Sequence, residues 1–215
     1  MIKKFTLSLL CLSTLISVKA QKIFSEGEIV YNINIERSSE GNNVRSANAV
    51  YTILKKGNLL RKELKMNNGF EMVLLTNGSG SYSLKKLNDK FFAIKMDEED
   101  LKKKRNPFEG FDLQTLKGNR KISGIDGREG LVTYKDGSSA EIVYAADWEI
   151  NGFIFERFPG IKQLPILFDY KNEDGSVTHF KVVKIIARPV ETSSFEIPAN
   201  YKLLSPREYA QMKKT

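Results

Sequence analysis

The sequence predicts a mainly β fold built on one antiparallel sheet, and three observations predict it. Apolar and polar residues alternate in run after run, as where Ile29, Tyr31, Ile33 and Ile35 interleave with Asn32, Asn34 and Glu36, the period-2 signature of a strand with one buried face. Tight-turn pairs separate the runs, among them Asn68-Gly69 and Asp136-Gly137. Helix signals are confined to two regions, 97–116 and 205–213.

The first twenty residues read as a targeting segment. Lys3 and Lys4 form a positive n-region, 5–18 is an apolar h-region, and Val18-Lys19-Ala20 offers small residues at the −3 and −1 positions of a cleavage site. We therefore expect a cleaved signal peptide at 1–20 and one domain at 21–215. The apolar run is shorter than the ~20 residues of a membrane span. Cys11 lies too early for a lipobox, with a bulky Leu10 before it. Cys11 is the sole cysteine, so the exported chain is expected to have neither disulfides nor thiol chemistry. The expected location is the periplasm or cell envelope. Loss of Lys3, Lys4 and Lys19 brings the formal charge from +8 to +5. Export argues against nucleic acid as the partner. A peripheral contact with an anionic membrane surface or lipid head group suits the remaining charge, as does plain solvation of outer strand faces.

Along the chain, 28–36 is the first half-buried strand and 38–43 a polar loop. The run 47–55 follows, with Tyr51 and Ile53 inward. Lys56-Gly57-Asn58 turns into 59–66, whose wet side carries Arg61, Glu63 and Lys65. Three more strands, 70–76, 81–86 and 91–96, are joined by Asn77-Gly78-Ser79-Gly80 and Asn88-Asp89, completing a meander of five to six strands. The pattern then changes. Asp97-Glu98-Glu99-Asp100 precedes Lys102-Lys103-Lys104-Arg105, the acid-before-base order that suits a helix and its dipole. Asn106-Pro107 predicts a second helix start, with Phe108, Phe111, Leu113 and Leu116 as its greasy face, although Gly110 weakens it.

Next comes a hairpin spanning 121–148, turning at Asp136-Gly137, which we expect at the middle of the sheet. After an aromatic irregular segment at 149–162 come a strand at 164–170 and a long run at 177–187. That run is apolar on both faces, with Phe180, Val182 and Ile186 on one and Val183 and Ile185 on the other, which predicts cover on both sides. A short strand is expected at 195–197. Ser205-Pro206-Arg207-Glu208 is a capping box opening a C-terminal helix to about 213.

This order of features resembles a family of uncharacterised secreted Gram-negative envelope proteins. The resemblance rests on the Gly27–Tyr31 opening strand, the Gly57–Arg61 strand and the central hairpin with Ile125, Gly127, Tyr134 and Glu141–Tyr144. It rests also on the closing Phe195-Glu196-Ile197-Pro198-Ala199-Asn200-Tyr201, so it spans nearly all of 21–215. It departs from the family in having no cysteine before the central hairpin. The family is similar to the lipoprotein-carrier (LolA-like) fold. That implies a strongly curved antiparallel sheet, an unclosed barrel of about 10–12 strands, with short helices over the concave face and an apolar cavity for acyl chains.

No catalytic or cofactor motif emerges, so no enzyme activity and no cofactor are expected. His179 is the sole histidine and, with no cysteine in 21–215, excludes a His/Cys metal site; it reads as a partly exposed strand residue. Asn172, Asp174 and Gly175 resemble part of an EF loop, but Tyr170 and Lys181 stand where the first and last ligands belong. The distinctive set is aromatic: Phe108, Phe111, Trp148, Phe153, Phe155 and Phe158 all flank the central hairpin outside regular strands. Either they line a cavity for a hydrophobic or lipidic ligand, or they fill an ordinary core. The expected function is non-enzymatic binding of such a ligand or of a lipidated partner. The alternative is a structural module docking on an outer-membrane partner without a small-molecule ligand.

Overall fold

The computed structural model of the chain describes residues 21–38, 44–87, 89–172 and 174–212. The expected signal peptide at 1–20 and most of the expected loop at 38–43 lie outside the described residues. A short β1 (Lys22–Phe24) precedes β2 (Glu26–Ser38), β3 (Val44–Lys56), β4 (Leu59–Met66), β5 (Glu71–Asn77), β6 (Gly80–Leu87) and β7 (Lys90–Lys95). Helix α1 (Glu98–Arg105) leads to β8 (Asp112–Ile122), β9 (Ile125–Thr133), β10 (Ser139–Ile150), β11 (Gln163–Lys171) and β12 (Val177–Ile186). The chain ends with β13 (Tyr201–Leu204) and α2 (Pro206–Met212).

All the strands belong to one 13-stranded sheet in the order β13-β7-β6-β5-β4-β3-β2-β12-β11-β10-β9-β8, with β1 beside β10. The sheet does not close: β8 and β13 are its two ends. The expected mainly β, unclosed sheet with short helices is borne out. Its pairings are antiparallel except for the two shortest strands, β1 on β10 and β13 on β7, which run parallel. The curl is strong: Ser123, in the β8–β9 turn, donates its hydroxyl to the Val182 carbonyl of β12 at 2.6 Å, across β10 and β11.

The hairpin expected at the middle of the sheet stands near one end instead. The centre is β2, a 13-residue strand paired with β3 on one side and β12 on the other. The turn itself forms as expected: Gly137 takes φ +83°, and the Asp136 carboxylate accepts the Ser138 amide at 2.9 Å. The β2–β7 meander also matches the alternation of the sequence.

Three local expectations are corrected. The second helix does not form beyond a single 3-10 turn, Asn106–Phe108. Gly110 takes φ +71°, a left-handed break, and 112–122 then pairs as β8 with the free edge of β9. Nor is β12 covered on both faces. Lys181, Val183 and Lys184 on its outer side are exposed, Val183 to 40%, and a bulge between Val182 and Lys184 shifts the later alternation so that Ile185 comes opposite Ile29. Residues 195–197 are not a strand: Thr192–Phe195 is a 3-10 turn that drives Phe195 onto Leu75, Tyr82 and Leu84, and the last strand forms at 201–204.

The convex face of the β4–β7 half is therefore covered. The convex face carries Leu75, Tyr82, Leu84 and Ala93 against Val190 and Phe195. The concave face of the β2, β11 and β12 region is filled by the 151–162 segment, whose Ile154, Phe155, Phe158 and Ile161 pack on Tyr31, Phe168 and Phe180. Phe168 and Phe180 stack at 4.6 Å, and Tyr31 meets Phe155, Phe168 and Phe180 edge-on. The buried Tyr31 hydroxyl donates to the Pro165 carbonyl at 2.7 Å.

Candidate functional site

What the 151–162 segment leaves open on the concave face is a cavity of about 580 Å³ over β4–β7. Its floor follows from register. Leu60 and Lys62 of β4 oppose Thr76 and Leu74 of β5, which oppose Ser81 and Ser83 of β6, and Ser83 opposes Ile94 of β7. Directly paired residues of antiparallel strands share a face, so apolar side chains and small hydroxyls alternate across a continuous floor.

The walls come from three other elements. Helix α1 contributes Leu101, Lys104 and Arg105. It is held at its start by Asp97, whose carboxylate accepts the Glu99 amide at 2.8 Å, with acids in its first turn and bases in its last. Helix α2 contributes Pro206 and Tyr209. It begins with the expected capping box: Ser205 Oγ accepts the Glu208 amide at 3.3 Å, and Glu208 Oε2 accepts the Ser205 amide at 2.7 Å. Those bonds, the Ser205 amide first, hold the Glu208 carboxyl below its ordinary pKa. The 151–162 segment supplies Phe153, Phe155 and Glu156.

A smaller hollow of about 210 Å³ adjoins it, walled by Ile33, Tyr51, Leu64, Tyr170 and Phe180. Lys62, Met72, Leu74, Phe155 and Glu156 border both. Burial pushes the phenols of Tyr51 and Tyr170 far above their ordinary range.

Lys62 is the unusual member of this lining. It is 9% exposed, between Leu60 and Leu64 on the concave face of β4. It makes no hydrogen bond or ion pair among the described residues. Burial pushes its ammonium below the ordinary lysine pKa, with the Glu156 carboxylate opposing that shift and the Arg105 cation adding to it. Arg105, the last residue of α1, lays its guanidinium over the Phe153 ring at 5.3 Å, and its Nε is buried without a hydrogen-bond partner.

The six aromatics singled out in the sequence fall in four places. Phe153 and Phe155 border the cavity. Phe158 packs into the core on Phe168 and Tyr170, with ring centroids 5.5 and 5.9 Å away. Phe108 and Phe111 flank Tyr134, and Phe111 borders a separate cleft of about 260 Å³. Trp148 meets Phe24 at 6.2 Å where β1 joins β10. Sequence reasoning passed over Lys62, although a signal was present: at period 2 it shares a face with Leu60 and Leu64, not with Arg61, Glu63 and Lys65.

No protein-family model and no curated protein matches the sequence. Solved structures do. The MucA/MucB complex of Pseudomonas aeruginosa aligns at 14% identity and TM-score 0.44 over 84% of this chain and 59% of that one. A LolA superfamily protein from Nitrosomonas europaea aligns at 13% identity and TM-score 0.36 over 81% and 92%. The lipoprotein LppX of Mycobacterium tuberculosis aligns at 13% identity and TM-score 0.40 over 77% and 89%. The chain spans less than two thirds of the MucB chains it matches. At TM-scores below 0.5 these likenesses carry no functional weight.

His179 lies on the other side of the sheet. Its Nδ1 is 2.8 Å from Asp169 and its Nε2 3.6 Å from Glu36. Among the described residues no group of three or more His, Cys, Asp or Glu side chains is placed to hold a metal ion. Among them, too, no helix is long and apolar enough to cross a membrane.

Proposed function

We propose that the protein is a non-enzymatic binder of a hydrophobic or lipid-like ligand, held on the concave face of its sheet beneath α1, α2 and the 151–162 segment. One observation carries this reading: the cavity of about 580 Å³ that Leu60, Met72, Leu74, Leu101 and Phe155 border. Its size lies within the roughly 300–1,000 Å³ typical of small-ligand sites. A sheet that served only as a scaffold would gain by filling such a space with its own side chains, as the 151–162 segment does next to it. The reading of 1–20 as a targeting segment supports export, and with it a ligand of the cell envelope.

The test is titration of the purified 21–215 chain with a fatty acid carrying its own fluorophore, since Trp148 lies away from the cavity. The expected result is saturable one-to-one uptake, lost in Ser83→Trp, which puts an indole into the floor. Absence of saturable uptake would overturn the proposal, and stoichiometric capture of an envelope protein by the same chain would then favour a docking module.

A further inference from the structure

We propose that the ligand is a long-chain carboxylate and that Lys62 and Arg105 hold its head group. This rests on the ligand-site reading above and adds a polarity to it. Lys62 borders both hollows, so its side chain stands at their junction. Strands β3 and β5 flank it with Ile53 and Leu74, and neither offers an acceptor side chain. An ammonium on so deeply set a side chain, with no hydrogen bond of its own among the described residues and two hollows beside it, is a costly feature that an anion in those hollows would relieve. Arg105 adds an independent observation: a buried Nε–H that no described group accepts. Two cations of unmet hydrogen-bonding capacity thus border one apolar space.

The charge count sets the class of head group. The charges acting on the Lys62 ammonium are the Glu156 carboxylate and the Arg105 guanidinium, which leaves this trio one positive charge in excess; the other charged residues around the larger hollow, Lys85, Lys95 and Lys104 against Asp97 and Asp100, add one more. One carboxylate balances the trio, and its two oxygens suit a guanidinium edge together with an ammonium. The chain of such a ligand lies along Leu60, Leu74, Leu101 and Phe153 in the larger hollow. A neutral amphiphile of the same length would displace cavity water from both cations and offer them at most one neutral hydroxyl acceptor, with no charge. Lys62 thereby selects against uncharged lipids as well as for acids.

The experiment is calorimetric titration of the 21–215 chain with hexadecanoate and with 1-hexadecanol, in parallel on the unaltered protein, Lys62→Met and Lys62→Arg. The unaltered protein is expected to prefer the acid by about tenfold or more, the scale of a charge-assisted hydrogen bond. Lys62→Met should reduce that preference to about twofold while leaving hexadecanol binding intact or tighter, and Lys62→Arg should keep it. Equal affinity for acid and alcohol in the unaltered protein would overturn the carboxylate assignment and leave the cavity reading standing. An undiminished preference in Lys62→Met would remove Lys62 from the role. Failure of both amphiphiles to bind would overturn the cavity reading and this inference together.

Discussion

Replacing Lys62 by methionine should stabilise the ligand-free protein. The substitution keeps the length and the apolar stem of the side chain and removes only the ammonium. A desolvated, unpaired buried charge costs several kcal/mol. Access to the cavity lets water offset part of that, so the gain on removing it is about 1–2 kcal/mol. For a chain of this size each kcal/mol moves Tm by about 2–4 °C, and the variant should melt roughly 2–8 °C higher at pH 7.

The pH dependence follows from the direction of the Lys62 shift. Its folded-state pKa is depressed by burial, so at alkaline pH the unfolded chain holds this proton more firmly than the folded one. The penalty is complete below the folded-state pKa and is relieved as pH rises through it towards the ordinary lysine value of about 10.4. The advantage of Lys62→Met should therefore be largest at pH 7 and shrink by pH 10. Urea titrations at the two pH values measure it, with an unchanged m-value confirming that the same surface is exposed. A variant less stable than the unaltered protein at pH 7, or an advantage that does not shrink at pH 10, would refute the reasoning that the ammonium is unpaired.

Other perturbations have equally definite outcomes. Tyr31→Phe keeps the ring contacts at the sheet centre but leaves the buried Pro165 carbonyl without its donor, so a loss of about 1–3 kcal/mol is expected in chemical denaturation. Glu28 meets Arg188 at 3.0 Å and Lys184 at 3.1 Å, and its carboxyl is held below its ordinary pKa, chiefly by Arg188. Because that folded-state pKa is lowered, the contribution is present above the unfolded value of about 4.3 and is lost as pH falls through the folded one. Both bases are half exposed, so Glu28→Gln should cost only about 0.5–1 kcal/mol at pH 7, and the two proteins should converge in acid titrations of stability as pH falls below the lowered folded-state pKa.

Much of the fold was legible because its signals are local. Strands β2 to β7 follow from alternation and turn residues, α1 from its acid-before-base order and α2 from its capping box. What was not legible depends on pairings distant in sequence. Residues 112–122 carry leucines at spacings that suit a helix, and only the open edge of β9 makes them β8. The hairpin at 121–148 has no local mark of its place in the sheet. That place depends on β2 pairing with β12, more than 130 residues further on. The bulge at Val183 changes which face each later side chain takes, and alternation alone cannot foresee an inserted residue. For the site, aromatic content pointed to the correct segment at Phe153 and Phe155. It did not separate these from Phe108, Phe111, Trp148 and Phe158, because hydrophobicity does not distinguish a cavity wall from a filled core. The cation between two leucines in β4 is a sharper marker, since burying an ammonium has a cost that packing alone does not explain.

The central claim, that the hollow over β4–β7 takes up an apolar ligand, is tested most directly by methyl NMR. Methionine methyl groups labelled with carbon-13 report from inside and outside the cavity at once: Met72 and Met96 border it, whereas Met66 and Met212 do not. On titration with hexadecanoate the account predicts saturable shifts at Met72 and Met96 with Met66 and Met212 unmoved. Shifts confined to Met66 or Met212, or no shift at any methionine, would contradict it.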